Sequence, residues 1–203
     1  MAGNSGLVLS NILFLKMRGT IMTGFFDEYF ATISKNLINV DTNELHHCVS
    51  LIGQCVEKNG KIIIAGNGGS AAIASHVSVD FTKAAGIRAI NFNEADLLTC
   101  FSNDFGYENW LSKAIEFYGD KNDLVFLISS SGKSKNIINA VNQCNSMGLN
   151  LVTLTGFEED NPVRSGGKIN LWVDSQDYNC VEMTHNIWLL SLVDNLISKQ
   201  VQK

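Results

Sequence analysis

An apolar run that leads directly into a glycine cluster constrains this chain more than any other feature. Residues 61–64 are Lys-Ile-Ile-Ile, residues 65–70 are Ala-Gly-Asn-Gly-Gly-Ser, and an alanine-rich stretch follows. This order predicts a buried strand, a tight turn and the start of a helix. Glycines let the backbone approach a ligand closely, Ser70 can cap the helix, and free amides at a helix N-terminus favour a phosphate. Many α/β proteins turn this way with nothing bound, so the turn alone does not establish a site.

A second turn of the same kind carries a cluster of serines. The apolar run 124–128 predicts another strand, and Ser-Ser-Ser-Gly-Lys-Ser follows it at residues 129–134, before a helical pattern. Helix capping explains Ser134 and Ser131 but leaves Ser129 and Ser130 unexplained. Phosphate recognition by hydroxyls and backbone amides explains all four, with Lys133 available as a charge partner. Neither turn has the ATP-type phosphate loop or the dinucleotide fingerprint, so we expect no nucleotide cofactor.

Composition limits the class of protein. At 203 residues, with 45% hydrophobic and 17% charged residues, the chain fits one globular domain. A formal net charge of -5, without a cluster of Lys and Arg, argues against direct binding of nucleic acid. The five cysteines are scattered, odd in number and without CxxC spacing, which is typical of reduced thiols in a cytoplasmic protein.

The N-terminal segment has two interpretations. Its apolar stretch, residues 7–15, is too short to span a bilayer, and basic residues follow it rather than precede it, so we expect neither a signal peptide nor a membrane partner. Met22 is an alternative start. We interpret residues 1–21 as an extension or tag and residues 22–203 as a single domain, with a packed N-terminal element as the alternative.

The alternation of helical and strand patterns predicts the architecture. Helices are expected at residues 25–38, 42–58 and 181–201, and strands near residues 61–65, 87–91, 123–128, 149–155 and 169–173. Asp41 and Glu44 have the spacing of a capping box at the second helix. Apolar strands separated by helices predict a five-stranded parallel sheet covered on both faces, an α/β/α three-layer sandwich. Ligands of such sheets bind outside the carboxyl ends of the strands, where both serine-bearing turns are expected.

Four segments, taken together, resemble a known family. They are residues 66–70 (Gly-Asn-Gly-Gly-Ser), 102–106 (Ser-Asn-Asp-Phe-Gly), 128–134 and 154–156 (Leu-Thr-Gly). Their order and spacing resemble the sugar isomerase (SIS) domain of the phosphoheptose isomerase group, from about residue 25 to residue 202. The resemblance implies a flavodoxin-like sandwich that assembles as a homotetramer, with active sites between subunits. It also implies that a phosphosugar is held by Asn67, Gly68, Ser70, Ser129, Ser130, Ser131 and Ser134, with Asp104 beside the same pocket.

The reaction that the resemblance implies is an aldose–ketose isomerisation of sedoheptulose 7-phosphate, which supplies heptose 7-phosphate for surface polysaccharide such as lipopolysaccharide. Such a reaction moves a proton between adjacent carbons and needs a base and an acid. In the family, a helical glutamate and a histidine on the last helix do this, and zinc can bind among them. Asp80 stands at the glutamate position, four residues after His76 on one helix face. The position of the histidine is Leu190, or Leu189 if the alignment shifts by one.

The resemblance therefore gives Asp80, His76 and His185 as candidate catalytic residues. With Glu182, which aligns with a glutamine of the family, they form a candidate ligand set for zinc or a related divalent ion. A His–Asp pair on a helix is also typical of an ordinary surface pair, and Glu182 with His185 of a solvated helix face.

Two functions from different classes remain open. The first is a phosphosugar isomerase with Asp80 as its base, which the retained His76 and Asp80 favour. The second is a non-catalytic SIS module that binds a sugar phosphate or a protein partner, like the replication-initiator-associating relatives. The missing histidine on the last helix favours the second.

Overall fold

A parallel sheet forms the centre of the computed structural model, which describes residues 24–201. Its five strands are β1 (Ile62–Gly66), β2 (Ala89–Ile90), β3 (Leu124–Ser129), β4 (Asn150–Thr155) and β5 (Ile169–Trp172). Their order across the sheet is β2-β1-β3-β4-β5, and every neighbouring pair is parallel. This is the flavodoxin-like order, in which the winding direction switches between β1 and β3. These two strands end side by side, because Gly66 pairs with Ile128.

Helices cover both faces of the sheet. Within residues 24–201 they are α1 (Phe25–Ile38), α2 (Thr42–Glu57), α3 (Gly69–Lys83), α4 (Ala95–Phe105), α5 (Trp110–Tyr118), α6 (Lys135–Met147) and α7 (Tyr178–Val201), with a 3-10 turn at Arg164–Gly166. Helices α2, α3 and α7 pack on one face, and α4, α5 and α6 on the other. In the part of the chain that the structure describes, no helix has the length and apolarity that crossing a membrane requires.

Alternation along the central strands explains the three layers. Ile62 and Ile64 point into the core beneath α2, α3 and α7, whereas Ile63 and Ala65 point into the core beneath α5 and α6. A strand that buries both of its faces needs an uninterrupted apolar run, which is what residues 62–65 provide. The predicted α/β/α sandwich is therefore confirmed.

The described residues fall into two compact units. Residues 24–32 belong to the first, where the rings of Phe25 and Tyr29 stack with centroids 5.8 Å apart and Phe26 and Phe30 are exposed. Residues 33–201 form the second unit, which contains the sheet. The predicted extension, residues 1–21, lies outside the described residues.

The largest differences from the predicted element boundaries are at strand β2 and at helix α7; the other strands and helix α2 differ by one residue at one or both ends. Strand β2 has two residues where five were predicted. Helix α7 begins at Tyr178, three residues before its predicted start, because the Asp177 carboxylate accepts hydrogen bonds from the backbone N–H groups of Asn179 and Cys180, at 2.9 and 3.2 Å.

The capping box predicted at the start of α2 is also corrected. Asp41 does cap the helix, but through the N–H of Asn43, at 2.9 Å. Glu44 instead lies 3.6 Å from His47. The cap therefore forms without the reciprocal bond from Glu44.

Candidate functional site

A small pocket of about 90 Å³ lies where β1 and β3 end. This is the switch point of the sheet, where α/β proteins of this winding bind ligands. The glycine turn after β1, the serine turn after β3 and the start of α7 supply its lining: Asn67, Ser70, Ile128, Ser129, Ser130, Ser131, Ser134, Tyr178 and Glu182. The structure thus brings together six of the residues predicted to hold a phosphosugar.

A larger groove, of about 600 Å³, lies elsewhere on the molecule. It lies near the amino ends of the strands, and its lining includes Lys58, Lys121 and Asn150. None of the predicted site residues contributes to this groove. We assign the candidate site to the small pocket, because the polar turns converge there at the carboxyl edge of the sheet.

The serine hydroxyls of the pocket remain available to donate hydrogen bonds to a ligand. Ser129 and Ser130 are each 5% exposed, and neither Oγ has a hydrogen-bond partner among the described residues. Ser131 Oγ accepts a bond from the N–H of Lys133, at 3.3 Å. Ser134 occupies the N-cap position of α6 but forms no side-chain cap, so capping does not explain it. A buried hydroxyl without a partner costs about 1–3 kcal/mol, which a ligand oxygen would offset.

The start of α3 differs from its predicted form. The N-cap residue is Gly68, with φ at 56°, a conformation that glycine adopts without strain. Ser70 therefore does not cap the helix; it lies in the first turn, 3% exposed, and faces the pocket. Glu182 lies against Gly69, where any Cβ would collide with its carboxylate. Burial raises the pKa of Glu182 above its ordinary value.

A reciprocal amide pair joins the two turns. Asn67 Nδ2 donates to Asn136 Oδ1, and Asn136 Nδ2 donates to Asn67 Oδ1, both at 2.9 Å. The hydroxyl of Tyr107 also lies 3.4 Å from Asn67 Oδ1. Sequence reasoning missed Asn136, which is 2% exposed. The available signal was a polar residue in the first turn of a helix that begins at the serine turn.

His76 and Asp80 lie together but away from this pocket. His76 Nε2 is 3.4 Å from Asp80 Oδ2 on α3, with side chains 54% and 34% exposed. Asp80 follows Ser70 by ten residues on the same helix. At the rise of an α-helix, this separates the two by about 15 Å. Within one chain, the candidate base therefore does not reach the hydroxyl pocket.

The burial of His185 argues against its predicted roles as a catalytic residue and as a metal ligand. The ring is 0% exposed, and Nε2 lies 3.0 Å from the carbonyl oxygen of Thr155. Burial lowers the pKa of His185 to about 4, so the ring is neutral at pH 7 and donates to that carbonyl. A side chain enclosed in this way contacts no substrate within the chain.

The four predicted zinc ligands do not come together among the described residues of a single chain. Among residues 24–201, no three or more His, Cys, Asp or Glu side chains are arranged to hold a metal ion. Of the four candidate ligands, His76 and Asp80 form a pair, Glu182 faces the serine pocket, and His185 is buried in the core. A structural zinc site needs four ligands and a catalytic one three, so we derive no catalytic step through zinc.

Two further predicted positions lie apart from the pocket lining. Asp104 is exposed on α4, where its carboxylate accepts a hydrogen bond from Asn103 Nδ2, at 2.9 Å. Leu190 is half-buried against the core, and Leu189 is fully buried in it. Neither alignment of the last helix supplies a histidine.

Fold and pocket together define the class of this molecule: a doubly wound α/β protein with a polar pocket at the switch point of its sheet. The SIS domain family matches residues 25–156, more than half of the chain. The chain belongs to the SIS domain family.

Curated relatives refine this assignment. The chain is 38% identical to the phosphoheptose isomerase of Glaesserella parasuis serovar 5 (strain SH0165) over 124 residues, which span 59% of this chain and 61% of that protein. It is 33% identical to the phosphoheptose isomerase of Helicobacter pylori (strain P12) over 162 residues, 74% of this chain and 81% of that protein. These relatives confirm the resemblance to the phosphoheptose isomerase group and the expectation of an isomerase.

Solved structures agree with the fold. A phosphoheptose isomerase from Neisseria gonorrhoeae superposes with a TM-score of 0.76 at 25% identity, covering 84% of this chain and 94% of that one. A phosphoheptose isomerase from Francisella tularensis gives a TM-score of 0.75 at 23% identity, covering 89% of this chain and all of that one. Both likenesses extend over most of the residues that the structure describes.

Proposed function

We propose that this chain isomerises a phosphorylated sugar, converting sedoheptulose 7-phosphate to heptose 7-phosphate. The observation that carries this proposal is the pair of buried hydroxyls without partners, on Ser129 and Ser130, beside Asn67 and Ser70. Hydroxyls and turn amides suit a phosphate, because each donates a hydrogen bond that the anion strengthens. The similarity to proteins named phosphoheptose isomerase supports the choice of sugar.

In this proposal Asp80 is the base, and it acts at the pocket of a neighbouring subunit. Its separation of about 15 Å from Ser70 along α3 leaves it out of reach of its own pocket. Apolar side chains are exposed nearby: Val79 is adjacent in sequence at 58% exposure, and Met183 and Ile187 on α7, which packs against α3, are 43% and 45% exposed. Burial of these side chains would favour a homotetramer with shared sites.

The acid of the reaction is assigned by comparing the three candidate positions. Leu190 has no ionisable group that could donate a proton, and His185 is enclosed in the core. His76 is the remaining candidate, since it is exposed and adjacent to Asp80. We therefore propose that turnover is slow. The proposed reaction takes place in the cytoplasm and supplies the synthesis of surface polysaccharide precursors.

The alternative is a non-catalytic module that binds a sugar phosphate or a protein partner. One observation favours it: a leucine at the position where the family has its histidine. A coupled assay with sedoheptulose 7-phosphate, with and without added zinc, separates the two functions. Turnover supports the isomerase, whereas binding without turnover supports the module.

Binding itself is tested by thermal unfolding. A ligand at about 100 times its Kd stabilises the folded state by roughly 2.7 kcal/mol, or about 5 to 10 °C in Tm for a domain of this size. Ser130→Ala and Ser131→Ala should reduce that shift. Ser146→Ala is the matched control, because its hydroxyl bonds only within α6, to the carbonyl of Gln143 at 2.9 Å. A shift with nucleotides and none with any sugar phosphate would overturn the proposal.

A further inference from the structure

We propose that Asn136 is a positioning residue of the phosphosugar pocket, acting through the side chain of Asn67. The inference rests on the proposed function, since it assigns a role within the same site. Asn67 lies in the pocket lining, whereas Asn136 lies behind it, 2% exposed. The two amides exchange hydrogen bonds at 2.9 Å in both directions.

The geometry of the pair fixes which group Asn67 can offer to a ligand. A primary amide has two N–H donors and one carbonyl acceptor. One donor of Asn67 is used by Asn136 Oδ1, and its acceptor already receives Asn136 Nδ2, with the Tyr107 hydroxyl 3.4 Å away. The second N–H is the group left for the pocket. Asn67 is thereby held as a donor, which suits the oxygens of a phosphate or a sugar.

Asn136 also couples the two halves of the pocket. It lies two residues after Ser134 in the first turn of α6, and Asn67 lies in the turn after β1. The pair therefore sets the distance between the glycine turn and the serine turn. Without Asn136, the Asn67 side chain would regain rotamer freedom that binding must remove.

A double-mutant cycle tests this role. The dissociation constant for sedoheptulose 7-phosphate would be measured by calorimetry for the unmodified protein, Asn136→Ala, Asn67→Ala and the double variant, with Tm recorded for each. We expect Asn136→Ala to weaken binding about tenfold in the unmodified background and by less than about twofold in the Asn67→Ala background. A merely structural role would lower Tm and would not give this non-additivity.

Asn139→Ala is the matched control on the same helix. Its Nδ2 also bridges to other elements, at 2.9 Å from the Glu108 carbonyl and 3.0 Å from Asn109 Oδ1, but the side chain does not line the pocket. We expect it to lower Tm without changing the dissociation constant. If Asn136→Ala does not fold, Asn136→Leu replaces it, because leucine has a similar volume and cannot exchange hydrogen bonds with Asn67.

The outcomes separate this inference from the proposed function. Unchanged affinity in Asn136→Ala, or equal losses in both backgrounds, overturns the role of Asn136 alone. Failure of the unmodified protein to bind any sugar phosphate overturns the proposed function and the inference together.

Discussion

His76 Nε2 lies 3.4 Å from Asp80 Oδ2 on the exposed side of α3, while Ser70 at the other end of that helix faces the serine pocket. The helical rise of ten residues places the backbone of Asp80 about 15 Å from that of Ser70. Val79, which lies between His76 and Asp80 in the sequence, has an exposed side chain. The arrangement fits a site completed by a second subunit, and the first three predictions depend on it.

Replacing the base should separate chemistry from binding. A positioned acid or base contributes about 10²- to 10⁴-fold to a proton transfer, so Asp80→Asn should abolish a weak isomerase activity while sugar-phosphate binding persists. Turnover of sedoheptulose 7-phosphate and calorimetric affinity are the two measurements. Asp96→Asn, an exposed acid on α4, is the control and should retain activity. Undiminished turnover in Asp80→Asn would exclude this carboxylate as the base.

Restoring a histidine on the last helix should raise the rate. Leu190 is half-buried against the core, so Leu190→His places an imidazole with partial access to solvent. We expect faster turnover with little change in affinity for the sugar phosphate. Leu196→His is the control, because Leu196 is another half-buried leucine of α7 packed on the same core. A loss of Tm equal to that of the control, without any gain in rate, would contradict the alignment.

Assembly is the third prediction. Met183 and Ile187 are exposed four residues apart on one face of α7, and we expect this face to be buried between subunits. Light scattering at micromolar concentration should give the mass of four chains, and Ile187→Lys should reduce it. Phe117→Lys is the control: this exposed residue lies on α5, across the sheet, and should leave the mass unchanged. A monomeric unmodified protein would argue against a shared pocket.

The fold was predictable because its signals are local. The apolar runs at residues 62–65 and 124–128 have the length of strands buried on both faces, and glycine or serine follows each of them. Strand β2 was harder, since its register with β1 covers only Ala89 and Ile90, and the other three residues of the predicted run lie outside the strand. A short edge strand is defined by its partner more than by its own sequence.

The candidate site was predictable in part. Hydroxyls that follow strand ends converge because parallel strands share an edge, so Ser70 and Ser129 could be paired from sequence. Asn136 was missed because its role depends on one partner, Asn67, in a distant turn. His185 was assigned a role from the alignment of the last helix with the family, whereas its ring points into the core, to the carbonyl of Thr155.

The buried histidine gives the last prediction, a pH dependence of stability. Burial lowers the folded-state pKa of His185 to about 4, below its ordinary value of 6.5. As pH falls below 6.5 the unfolded chain takes up a proton that the folded chain does not, so this stabilising contribution is present above that pH and is lost towards pH 4. Between pH 7.5 and 5.5 the free energy of unfolding should fall by about 1.4 kcal/mol from this group, measured by urea titration. His185→Gln keeps a donor for Thr155 and should lose that part of the slope, whereas the exposed control His47→Gln should retain it. An identical pH dependence in all three proteins would show that folding does not shift the pKa of His185.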